Sequence, residues 1–184
     1  MSLLDAVRRR FARAPEVVRA ALPRDEQVLA WGTLTRDEGW LVATDRGLRR
    51  MVADPVAGEP LPWHQVGSAT WSAAGETGGT FRVVALAEVE PGVQARQPEE
   101  RHVLADAGEL PAVVRRRVDQ TVVDSRRSPL PGRGGVLLVA RRIPGQPGRE
   151  WTVVFDDDAD RADPVAREAA RQKLAELVAA DQPD

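Results

Sequence analysis

The chain has 184 residues, of which 42% are apolar and 29% charged, the composition of a globular protein of one domain, or one domain with an appendage. The absence of cysteine excludes disulfides, thiolate zinc sites and thiol nucleophiles. A net charge of −2 gives no global attraction to nucleic acid, and neither a secretory signal nor an apolar run of roughly 20 residues is present, so a cytoplasmic location is expected.

Residues 3–21 read as a helix, with Leu3, Leu4, Val7, Phe11, Ala14, Val18 and Ala21 spaced by threes and fours and Ser2 as its cap. Pro15 breaks or kinks it. Arg8, Arg9, Arg10 and Arg13 crowd the opposite face. Two readings follow: a basic helix for an acidic membrane surface or partner, or a helix packed on the domain with solvated arginines. The narrow stripe without Trp favours the second.

The stretch from Glu26 to Trp71 organises the rest. Short apolar-rich runs alternate there with turn signals, as in an antiparallel sheet. Strands are predicted at 27–35, 40–44 and 48–52. Between them lie turns at 36–39 and 45–47, with Gly47 suited to a positive φ. A loop at 54–62 leads through Trp63-His64-Gln65-Val66 into a fourth strand ending near Ser72. A fifth strand spans 80–88, a polar loop 91–99, and a short sixth strand 101–105. Such a meander twists and curls into a roll or partial barrel. Pro111 suits the first turn of a helix ending by Ser125, with Val114, Val118 and Val122 facing the sheet. Residues 125–135 read as a basic linker. A hairpin at 136–155 and a helix from Asp163-Pro164 to about Ala180 close the chain, the last with Ala166, Ala170, Leu174, Leu177 and Val178 as its buried stripe. The domain reading is an N-terminal helical segment at 1–22, a domain at 23–125, and a hairpin-helix extension at 126–184 packed on it. Trp40 and Trp63 are expected in or beside the core.

Thr44, Asp45 and Arg46 at a strand end, then Pro62, Trp63 and Val66, resemble the bacterial pleckstrin-homology-like (PH-like) proteins. The resemblance covers residues 24–88 and extends towards the helix at 111–124. It implies an α+β fold, a strongly bent antiparallel sheet capped by a helix, and a binding or scaffolding role without catalysis or cofactor. The turn Arg36-Asp37-Glu38, of mixed charge, departs from lipid-binding relatives and argues against a phosphoinositide pocket. The whole chain resembles an uncharacterised actinobacterial family, in keeping with its Arg-for-Lys bias, Lys173 being the one lysine.

Chemistry-bearing patterns are sparse. His64 and His102, the two histidines, sit in no catalytic motif and read as structural. Asp156, Asp158 and Asp160 have calcium-loop spacing, yet Arg161 and Arg167 stand where that loop needs Gly and Glu, so a solvated loop at a helix start is expected and no metal. Arg126, Arg127 and Arg133, among glycines, are candidates for holding an anion or partner, although no Walker or dinucleotide pattern is present. They lack the stacking aromatics of nucleic-acid readers, so sequence-specific nucleic-acid binding is not expected. The charge is segmented: residues 1–24 carry six Arg against Asp5 and Glu16, residues 112–149 nine Arg against Asp119 and Asp124, and residues 150–184 ten acids against four bases. Mutual neutralisation in the fold is the expected outcome. The expected partner is a protein, or a second copy of the chain, bound by strand addition at a sheet edge. The alternative is peripheral membrane contact through the N-terminal helix.

Overall fold

The computed structural model describes residues 13–35, 39–52 and 58–181. The described chain is α+β, with eleven mostly antiparallel strands and three α-helices. It divides into two compact units, Met1–Ala85 with Pro98–Asp119 and Leu86–Gln97 with Gln120–Asp184.

In the first unit a short helix, α1 (Glu16–Ala21), precedes a meander: β1 (Val28–Leu34), β2 (Trp40–Thr44), β3 (Gly47–Met51) and the two-residue β4 (Leu61–Pro62). A single 3-10 turn (Trp63–Gln65) joins β4 to β5 (Val66–Ala74). The 13-residue β6 (Gly78–Glu90) gives its first half to this unit. After β7 (Val93–Arg96), which belongs to the other unit, β8 (Glu100–Asp106) returns, and α2 (Leu110–Thr121) follows. The strand order is β4-β3-β2-β1-β8-β6-β5, every neighbour antiparallel. The two outer strands of that path, β4 and β5, are joined through the three residues of the turn.

Alternation along β2 shows how residues are sorted between faces. Leu41 and Ala43 join Leu34, Leu48, Trp63, Phe81, Leu104 and the α2 residues Leu110, Val113 and Val114 in the main core. Val42, between them, points to the other face and packs with Met51, Ala14, Val18 and Leu22 around α1. Residues 14–22 therefore lie against the domain, as the narrow stripe predicts. Residues 1–12, including Arg8, Arg9 and Arg10, lie outside the described residues, as do residues 36–38, where a turn is expected, and residues 53–57.

Of the motif residues that carry the PH-like resemblance, Thr44 and Trp63 meet each other across its two halves. Trp63 is buried and its indole N–H donates to the Thr44 carbonyl at 3.0 Å. The Thr44 hydroxyl donates to the Gly47 carbonyl and accepts from the Arg46 and Gly47 amides. Asp45 accepts from the Gln27 amide, and Arg46 pairs with Asp25. Gly47 does not use a positive φ. Its requirement is space: a Cβ there would overlap the Leu61 carbonyl, because β4 pairs directly beside it.

The second unit is ordered β6-β7-β11-β10-β9, from β9 (Val122–Pro129), β10 (Gly135–Arg141) and β11 (Glu150–Phe155) with the second half of β6. The β7–β11 pair is parallel and the rest antiparallel. The final helix, α3 (Pro164–Ala180), lays Ala166 and Ala170 on Val136, Leu138, Val153 and Phe155, with Leu174 and Leu177 at the margin. Asp163 caps it, accepting from the Val165 amide at 3.0 Å. Val178 is exposed.

Three further expectations are corrected. The polar loop at 91–99 contains β7, which pairs with β6 and β11. The basic linker at 125–135 is β9 as far as Pro129, paired along its length with β10. The helix expected to reach Ser125 stops at Thr121, so Val122 is an exposed strand residue instead of the last turn of a core stripe.

Candidate functional site

Edge strands expose unpaired backbone groups, and proteins blunt them with charge, proline or brevity. The edge β4 is two residues long. The edge β9 carries Asp124, Arg126, Arg127 and Pro129. The edge β5 has none of these devices. Its nine residues, Val66-Gly67-Ser68-Ala69-Thr70-Trp71-Ser72-Ala73-Ala74, include no charge and no proline. Among the described strands it pairs with β6 alone, and at its start the Val66 amide donates to the Trp63 carbonyl. Ser68, Thr70 and Ser72 are exposed on one face, while Ala69 and Trp71 border the main core on the other. Trp71 is tilted against Phe81, with ring centroids 6.2 Å apart. A register shift between Val66 and Ser68 bulges the start of the strand. Chemically, β5 beyond that bulge offers a run of amides and carbonyls flanked by hydroxyls and one aromatic ring. Sequence reasoning expects edge addition without naming the edge; the absence of charge from Val66 to Ala74 was the available signal.

Two concavities lie in the same unit. A recess of about 810 Å³ is lined by Leu34, Thr35, Arg50, Glu100, Arg101, His102 and Val103. His102 is buried there, with Nε2 3.5 Å from Glu100. Burial holds its pKa below the ordinary 6.5; the Glu100 charge opposes that shift and Arg50 adds to it. A broader groove of about 1220 Å³ runs along α1, β1 and the start of α2, with Arg13, Arg19, Arg24 and Arg116 among its walls and Glu26, Asp106 and Glu109 interleaved. That alternation of sign leaves no concentrated field for an anion.

Beneath the groove, Glu26 and Arg49 form a buried bidentate pair, Nε to Oε1 at 2.8 Å and Nη2 to Oε2 at 2.6 Å. Burial pushes the Glu26 carboxyl up, but hydrogen bonds from Arg49 and Thr44 and the charges of Arg49 and Arg46 together bring it below 4.5.

The arginines singled out in the sequence are on the second unit. Arg126 and Arg127 are exposed on β9, and Arg133 is exposed in the turn after it. Arg126 reaches Asp124 at 3.1 Å and lies over the Trp151 ring; Arg127 reaches Asp156 at 3.1 Å. The acidic loop is likewise engaged within the chain: Asp157 faces Arg96, Asp160 accepts from the Ala162 amide, and Asp163 caps α3. Among the described residues no group of three or more His, Asp or Glu side chains converges as a metal site. Arg13 is exposed at the groove mouth. No helix of the described chain is long and apolar enough to cross a membrane.

Compared with family models, curated proteins and solved structures, the chain matches none.

Proposed function

We propose that this chain is a non-enzymatic binding or scaffolding module with a PH-like roll, and that it recognises protein by strand addition at β5. The observation that carries the reading is an uncharged nine-residue edge at one end of the path β4-β3-β2-β1-β8-β6-β5. The fold part rests on topology: outer strands joined by only three residues favour a sheet that bends until its ends approach, with α2 covering the core. The contacts among Thr44, Gly47, Pro62 and Trp63, which hold the second, third and fourth strands together, are in keeping with the reading. The binding part rests on chemistry: main-chain pairing supplies affinity, and Trp71 with its flanking small residues supplies selectivity. The second reading, membrane contact through the N-terminal helix, is weakened at residues 14–22, whose apolar side chains are already buried against β2 and β3.

Affinity capture from a cytoplasmic extract tests the reading, using the natural chain, Thr70→Lys, and the triple change of Arg126, Arg127 and Arg133 to Ala. Thr70 is exposed, so the lysine blocks the edge without entering the core. Loss of the captured protein with Thr70→Lys, and its retention with the triple variant, is expected. The reverse pattern would move the site to β9.

A further inference from the structure

The reading above leaves open what lies on β5. We infer that its occupant is β5 of a second copy of this chain, paired antiparallel about a two-fold axis through Thr70. The inference rests on β5 being the recognition edge and adds the identity of the partner and the register.

A two-fold interface must be complementary to itself, residue i of one copy meeting j of the other and j meeting i. β5, with no charge at any of its nine positions, meets that requirement in every register, whereas β9 meets it only where Asp124 of one copy lies opposite Arg126 of the other. The same neutrality gives β5 no counter-charge with which to select an acidic or a basic peptide.

The order of residue sizes then fixes the register. With Thr70 on the axis, Trp71 lies opposite Ala69 of the partner subunit, and Ala69 opposite the partner's Trp71. The largest side chain of the strand meets one of the smallest, twice. Ser68 and Ser72 face each other as hydroxyl pairs, and Ala73 meets the bulge side at Gly67. A register shift of two residues puts Trp71 on the axis against its own copy, or Ala69 on the axis with Trp71 opposite Gly67 at the bulge, and either leaves fewer residues of the strand paired. Small residues beside the ring let the two backbones reach hydrogen-bonding distance.

The experiment is sedimentation equilibrium over a concentration series reaching about 200 μM. The expected result is association to twice the 20.1 kDa chain mass, weakened at least about tenfold by Thr70→Lys and by the second edge variant Ser68→Lys, each checked for an unchanged circular dichroism spectrum. Because the chain has no cysteine, Thr70→Cys provides a register probe: directly opposed Cβ atoms lie about 4.5–5.5 Å apart, within reach of a disulfide after slight adjustment. Thr70→Cys should cross-link under mild oxidation and Arg126→Cys should not. A natural chain that stays at 20.1 kDa throughout would overturn the inference, as would a dimer indifferent to both lysine variants. If the chain is monomeric but Thr70→Lys still abolishes capture, the edge reading survives and only the identity of the occupant fails.

Discussion

Two buried ionisable groups carry opposite lessons at the residue scale. Glu26 and Arg49 satisfy each other, with Arg49 also donating to the Gly58 carbonyl. Such a pair adds little over an apolar replacement but is costly to break singly. Glu26→Gln leaves a buried guanidinium without its countercharge and should cost about 3 kcal/mol in the denaturant midpoint analysis. Because the folded Glu26 pKa lies below 4.5, its contribution is complete above that value and is lost as pH falls through the folded value. His102 acts in a different window. Its folded pKa is below 6.5, so the unfolded chain binds more protons between the two values. Stability should therefore fall as pH drops from 6.5 towards the folded value, then level off until the carboxylates titrate. His102→Gln should flatten that slope in urea titrations across the window; an unchanged slope would mean that His102 is not its source.

At the scale of elements, close approach and capping decide more than composition. Gly47→Ala forces a Cβ into the Leu61 carbonyl, a backbone atom that cannot step aside without breaking the β3–β4 pairing. A loss above about 2 kcal/mol is expected, despite the ordinary φ at Gly47. Asp163→Ala, removing the cap of α3, should cost about 1 kcal/mol, read by thermal melting. The elements also show which signals the sequence carried. The alternation in β1 and β6, and the Asp-Pro start of α3, were legible because one face of each strand and one stripe of the helix are buried, whereas β2 and β3, buried on both faces, were legible from the turn signals beside them. β9 was not, since most of its residues are exposed and its pairing with β10 is a tertiary event. β7 escaped for a similar reason: four residues among polar neighbours form a strand only because β6 and β11 flank them. Val122 continued the four-residue spacing of Val114 and Val118, so periodicity ran past the true end of α2. The candidate site was half legible. Edge addition followed from the family resemblance, but which edge required the strand order.

At the scale of the molecule, the segmented charge is spent locally. In the second unit Arg127 meets Asp156, Arg149 meets Asp181, and Arg167 and Arg171 share Glu90. In the first unit Arg46 meets Asp25 and Arg82 meets Glu99. These pairs are at least partly exposed, and pairs of that kind are screened and individually weak. Raising sodium chloride from about 0.05 to 0.5 M should therefore move the melting temperature by no more than about 2 °C; a large drop would give the ion pairs a weight denied to them here. The functional account depends on a different surface, the open side of β5. Amide hydrogen exchange measures it directly, comparing dilute free protein with the protein in complex, whether with a captured partner or with itself. The account predicts fast exchange in the outward amides between Gly67 and Ala73 while β6 is slow, and protection of that segment alone on complex formation. Exchange in β5 as slow as in β6 before any complex forms, or protection gained at β9 with β5 unchanged, would contradict it.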